Sequence, residues 1–270
     1  DAGKVRELDR LVAQKLGFSD SYLVTGQTYP RKVDTQVLGV LAGLGESVHK
    51  FATDMRLLQN LNEIEEPFEA AQIGSSAMAY KRNPMRCERA CALARFLVVC
   101  ALHAGFTASV QWLERTLDDS AIRRINLPEA FLACDGALNL YLSIMENPTV
   151  YPKVIEKHLK EELPFLATEN ILMACVKQGG DRQKVHETIR KHAQAAAARV
   201  KGEGGDNDLL DRLAADRGIG LTRAELEGIV DVRKFVGRAP EQVEEFLASK
   251  ANPCLERYKD RLGLISDVRV

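Results

Sequence analysis

One stretch of this 270-residue chain gathers residue types that can move a proton and hold an anion: Gly74-Ser75-Ser76-Ala77-Met78-Ala79-Tyr80-Lys81-Arg82-Asn83-Pro84. Gly74 reaches backbone angles closed to other residues and can hinge the segment. The two adjacent hydroxyls offer a proton acceptor and hydrogen-bond donors. Lys81 and Arg82 bring positive charge, and Asn83 brings an amide. Pro84 opens a long helix, whose first N–H groups favour an anion. A serine is a weak base until its alkoxide is stabilised, and neighbouring cations and a helix N-terminus are the means at hand. The competing reading is a solvated basic loop ahead of a helix, because short motifs match by chance.

A second polar set, Arg115, Ser120 and Arg124, recurs on the segment after Trp112, and arginine is a side chain that can hold an anion bidentately. Arg89, one turn into the helix after Pro84, is a weaker candidate of the same kind. Read alone, these arginines also fit surface ion pairs. Gln27 lies in a Gly26-Gln27-Thr28-Tyr29 turn, where a side chain commonly bonds to backbone. The five histidines (49, 103, 158, 186 and 192) read as structural or exposed, and none is spaced for a metal. No metal and no cofactor is expected.

The elements that must carry these residues are helical. Val5, Leu8, Leu11, Val12 and Leu16 share one face of a first helix. Val37, Leu41, Leu44, Val48, Phe51, Met55 and Leu58 alternate spacings of four and three, a seam sustained over three heptads, with Asp34 as the expected N-cap. A rod that long must bury its stripe against other long helices. Further helices are expected from about Pro84 to Ala104 and from about Pro128 to Met145, the latter stopped by Asn147-Pro148. After Tyr151-Pro152 the breakers crowd together, with helix starts expected at Asp181 and Pro240. The fold class is therefore all-α: a long-helix bundle over residues 1–150, followed by a compact domain of shorter helices over 151–270.

Composition sets outer bounds. Lys and Arg number 37 against 38 Asp and Glu, so a general nucleic-acid binder, which needs a basic excess, is excluded. Hydrophobic residues at 46% and charged residues at 28% fit an ordinary globular protein. The longest strictly apolar run, Phe96 to Leu102, is too short for a membrane span, and Asp1-Ala2-Gly3-Lys4 does not open a signal peptide. Six cysteines without a CxxC pair read as reduced, mostly buried thiols of a cytoplasmic protein. Cys87, in the first turn after Pro84 and beside Arg86, is a candidate for a lowered thiol pKa.

The loop from about 72 to 86 resembles the signature of the fumarase/aspartase superfamily, glycine-serine-serine-x-methionine-proline-x-lysine-x-asparagine-proline, with Ala79 where the signature has proline. Within that superfamily, Tyr80 to Arg86, Arg115-Thr116-Leu117-Asp118-Asp119-Ser120, Thr25 to Tyr29 and Glu203 to Asp208 resemble the adenylosuccinate lyase family. The resemblance covers essentially the whole chain. It implies a β-elimination in purine synthesis: a base removes a Cβ proton from a succinyl group, an aci-carboxylate forms, and the C–N bond breaks to release fumarate. The family's substrates are adenylosuccinate and the succinyl-carboxamide imidazole ribotide. By the same resemblance Ser75 is the base. Ser76, Lys81 and Asn83 bind and stabilise the succinyl carboxylate, Gln27 contacts substrate, and Arg115, Ser120 and Arg124 take the phosphate. The family is homotetrameric, with each active site assembled from three subunits.

Two departures carry expectations. Losing the signature proline at Ala79 should free the loop. The family's acid histidine, in a threonine-serine-x-histidine context, has no match here. With Asp1 rather than Met at its start, the chain is expected to be the C-terminal part of a longer enzyme that supplies the acid elsewhere. The alternatives are a catalytically incomplete fragment or helical scaffold of the same fold, and an argininosuccinate- or fumarase-type lyase.

Overall fold

Small side chains decide how the first unit packs. The computed structural model describes residues 1–68, 77–78, 80–263 and 268. Three long helices, α2 (Lys32–Asn60), α3 (Met85–Ser109) and α4 (Asp119–Glu146), run alternately up and down, with α3 against both others. The inner face of α3 is Cys87, Ala90, Cys91, Ala94, Leu97, Cys100 and Ala104, all buried. Alanine and cysteine there let the helices approach closely. A Cβ on Gly45 of α2 would stand 3.1 Å from both the Ala94 carbonyl oxygen and Leu97 Cβ. Overpacking that crossing would cost about 1–3 kcal/mol. By length and apolar content α3 could cross a membrane, with a mean hydropathy of 1.7. In this fold its inner face is the middle of a three-helix core.

The expected seam is half buried. Leu41, Val48 and Met55 face the core, joined by Leu38, Ala42, Gly45 and Ala52, whereas Val37 and Leu44 are exposed. The reason is that only two helices flank α2 among the described residues. Phe96, Val99, Leu102 and Phe106 of α3 and Phe131, Leu132 and Met145 of α4 are exposed as well. Contiguous apolar helix faces of this extent are characteristic of association surfaces.

Two boundaries and one burial differ from expectation. The chain turns helical at Lys32, so Asp34 lies in the first turn of α2, buried and ion-paired, not at the N-cap. Helix α4 begins nine residues before Pro128, which sits inside it. Proline costs one backbone donor there but does not end the helix. Helix α1 (Ala2–Lys15) forms, capped by Asp1, yet buries none of its apolar face. Two short strands, β1 (Ile64–Glu65) and β2 (Thr149–Val150), pair antiparallel with Ile64 opposite Val150.

The chain divides after Val150 into two compact units. The second runs through α5 (Pro152–Leu166), α6 (Thr168–Lys177), α7 (Arg182–Glu203), α8 (Leu209–Ala215) and α9 (Arg223–Ile229). Its core joins Ile171, Leu172, Cys175, Val185, Ile189, Leu209, Leu213 and Leu226. Local chemistry sets these ends. Asp181 caps α7 by accepting from Lys184 N at 2.9 Å, and Gly204 closes the helix in the left-handed conformation. Thr222 and Glu225 form a capping box on α9. From Ala239 the chain continues helically through α10 (Ala239–Phe246), a π-turn and α11 (Asn252–Arg257), with no buried residue.

Candidate active site

The exit of the signature loop is tied down by its own neighbours. The Arg82 guanidinium donates to Glu65 Oε2 at 2.9 Å and lies 5.0 Å from the Phe68 ring centre. Its charge is therefore balanced, unlike the free cation the sequence suggests. Gln59 Nε2 donates to the Arg82 carbonyl at 3.1 Å. Lys81 and Tyr80 are exposed and Asn83 is half-buried. Arg89 is exposed on α3. Ser75, Ser76, Gly74 and Ala79 lie outside the described residues.

The start of α3 corrects two expectations. Its first N–H groups are not open to an outside anion. Met85 N donates to the Asn83 carbonyl, and Glu88 N to the Pro84 carbonyl. Between them, Arg86 N donates to Glu66 Oε1 and Cys87 N to Glu66 Oε2, both at 2.9 Å. The anion at this helix terminus is the protein's own carboxylate. The Cys87 thiol is consequently pushed up, not down: burial is the main cause, and the adjacent Glu66 carboxylate adds to it.

The other set stands at the opposite end of the bundle. A Cβ on Gly26 would lie 2.3 Å from the Glu114 carbonyl oxygen, so only glycine lets the Thr25–Tyr29 turn touch that backbone. Gln27 Nε2 then donates to Glu114 Oε1 at 2.9 Å. Arg115 is half-buried, and its Nε has no hydrogen-bond partner among the described residues. Ser120 and Arg124 share the first turns of α4, where Arg124 Nη1 donates to Ser120 Oγ. Gln27, Arg115, Ser120 and Arg124 thus come together around the α3–α4 connection.

A buried ion network fixes that cluster, and the residue pattern alone did not reveal it. Arg31 donates to Asp119 with both side chains almost fully buried. Arg123 donates to Asp34 and to the Tyr29 hydroxyl, which itself donates to Asp34 Oδ1 at 2.6 Å. Both guanidinium groups lie against the Tyr29 ring, at 4.7 and 5.4 Å. Burial and Asp34 raise the Tyr29 pKa. The one available signal was the density of Arg and Asp within 31–34 and 118–124.

Among the described residues the two sets do not meet. Lys81 and Asn83 of the loop set stand where α2 ends and α3 begins. The arginine set stands where α2 begins and α3 ends. Helix α2 spans 29 residues, so roughly 40 Å of rod separates them at 1.5 Å per residue. Among the described residues no group of three His, Cys, Asp or Glu side chains could hold a metal. His49 bonds Thr53 at 3.2 Å, and His192 bonds Asp216 at 2.8 Å in the second unit.

Comparison with known proteins gives a consistent picture. Residues 2–98 match the family model described as Lyase, and residues 164–246 the model described as Adenylosuccinate lyase C-terminus. The chain is 53% identical over 262 residues to an adenylosuccinate lyase of Schizosaccharomyces pombe, covering 97% of this chain and 54% of that protein. It is 55% identical over 260 residues to that of Saccharomyces cerevisiae, covering 96% and 54%. The chain therefore spans about half the length of the curated relatives it matches. In fold it resembles a fumarate lyase from Mesorhizobium sp. BNC1, with a TM-score of 0.72 at 20% identity, covering 89% of this chain and 52% of that one. A 3-carboxy-cis,cis-muconate lactonizing enzyme from Pseudomonas putida follows, with a TM-score of 0.70 at 22% identity, covering 91% and 54%.

Proposed function

The chain belongs to the adenylosuccinate lyase family, and from that premise we propose that it forms part of a lyase that eliminates fumarate from adenylosuccinate, leaving AMP, and from the succinyl-carboxamide imidazole ribotide. Ser75 is the base that takes the Cβ proton. The electron pair moves into the adjacent carboxylate, and its expulsion of the nitrogen completes the elimination. Lys81, Asn83 and Ser76 face the added negative charge of that carboxylate, where a fixed cation and donors lower the barrier most. Arg115, Ser120 and Arg124 take the nucleotide phosphate, Gln27 contacts the substrate, and Arg89 is a secondary anion contact. The acid that protonates the leaving nitrogen comes from outside these 270 residues.

The observation that carries this reading is the separation of Lys81 and Asn83 from the arginine set by the length of α2. One site needs the loop of one copy and the arginine cluster of another, which makes the enzyme an oligomer; we assign it as a homotetramer. The exposed apolar faces of α3 and α4 supply surface for such association. Five buried cysteines, none in a disulfide, agree with a reducing, cytoplasmic setting. The test is fumarate release from adenylosuccinate, followed by ultraviolet absorbance in a full-length subunit carrying this sequence. Ser75→Ala abolishes turnover and leaves nucleotide binding largely intact. Turnover that survives Ser75→Ala overturns the assignment of the base.

A further inference from the structure

The acidic run Glu63-Ile64-Glu65-Glu66-Pro67 looks like a solvated stretch in the sequence, yet Glu66 is only 3% exposed. A buried carboxylate is costly unless its oxygens are satisfied. Here each oxygen accepts one backbone N–H, from Arg86 and from Cys87, twenty and twenty-one residues further on. Charge-assisted bonds of this kind are about twice as strong as neutral ones. The negative charge also sits at the positive end of a 25-residue helix, the favourable place for it. Glu66 N donates in turn to Gln59 Oε1 at 3.3 Å, and the same Gln59 amide holds the Arg82 carbonyl. Glu65 pairs with the Arg82 side chain and, through β1, with Thr149. Three consecutive constraints therefore bind residues 82–87 to residues 59–66.

We propose that Glu66, assisted by Gln59, is a positioning residue for Lys81 and Asn83: its buried carboxylate locks the start of α3 onto the end of β1 and so sets where those two side chains stand. The proposal rests on the reading of Lys81 and Asn83 as the groups that face the substrate carboxylate. Its chemical consequence is a division of labour. Because Glu66 already occupies the free donors of α3, stabilisation of the developing charge falls to side chains, not to the helix terminus.

Glu66→Gln is the test. Glutamine keeps the shape and one acceptor oxygen but sets an NH2 group against the second backbone N–H. In hydrogen–deuterium exchange the Arg86 and Cys87 amides of the variant exchange at least about tenfold faster, the loss expected for one charged hydrogen bond. Amides from Ala90 to Leu97 of the same helix keep wild-type rates. In turnover kcat falls about 10- to 100-fold, the usual effect of displacing a contact by an ångström or less. KM for the nucleotide changes less than about threefold, because the phosphate set lies at the far end of α2. Gln59→Ala, which spares the carboxylate, shows the same pattern with smaller changes. Unchanged exchange at Arg86 and Cys87, protection lost along the whole of α3, or a wild-type kcat would each overturn the proposal. Absence of fumarate release from the unsubstituted subunit strikes instead at the lyase reading, while exchange still decides whether the carboxylate holds the segment.

Discussion

Asp119→Ala should damage this protein far more than a typical loss of one ion pair. Asp119 is 1% exposed and Arg31 7% exposed, and they bond each other directly. Removing the carboxylate strands a guanidinium where water cannot solvate it. Breaking such a buried pair from one side costs about 3–5 kcal/mol. For a helical unit of this size that lowers the melting temperature by roughly 10 °C. Removing both charges is milder, because nothing is left unpaired, so the double variant Arg31→Met, Asp119→Ala should recover at least about 2 kcal/mol relative to the sum of the single losses. Circular dichroism melts and urea titrations of the four proteins provide the cycle. A single variant melting within about 2 °C of the parent, or a double variant as unstable as the two losses added, would refute the reasoning. The pair also joins the residue before α2 to the first turn of α4, which carries Ser120. Residual folded Asp119→Ala should therefore bind nucleotide more weakly.

Two other outcomes follow from single groups. Because burial and Glu66 push the Cys87 thiol up, iodoacetamide at pH 8 should modify the exposed Cys254 and spare Cys87. Equal labelling in peptide maps would contradict that. Arg212, first, and Arg199 hold the Asp208 carboxyl below its ordinary value. Its contribution is therefore complete above the unfolded value of about 3.9 and fades as pH falls through the lower folded one. Asp208→Asn should destabilise the second unit at pH 7, and its deficit should shrink as pH falls below about 3.9; a deficit that stays constant across that acid range would contradict this origin.

Helical spacing made the long elements readable from sequence, since apolar residues at intervals of three and four leave little choice of period. Asp181 and Gly204 marked α7 through caps that act within one turn. The failures share a cause: they depended on partners distant in the chain. Pro128 looks like a helix start until α4 is seen to be held from Asp119 by its pairing with Arg31. Asp34 has the chemistry of an N-cap, but Arg123, 89 residues away, claims it. Cys87 has the position of an acidic helix-N-terminal thiol, but burial, with Glu66 adding to it, pushes the thiol up. Helix α1 has an amphipathic pattern, yet none of its residues is buried among the described residues. For the candidate site, the residue types, the motifs and the long unbroken α2 rod were readable, whereas the gathering of Gln27 and the α3–α4 connection at the far end of that rod from Lys81 and Asn83 depends on contacts distant in the chain, such as Gln27 with Glu114.

That separation is tested most directly by mixing two dead variants of the full-length subunit, Ser75→Ala and Arg115→Ala, after unfolding and refolding them together. If loop and arginines come from different copies, about one quarter of the sites in a random one-to-one mixture combine an intact loop with an intact cluster. Fumarate release should then return to about 25% of the parent rate, as that geometry requires. A mixture as inactive as its two components would mean that both sets serve the same site from a single chain, and would contradict assembly of each site from separate copies.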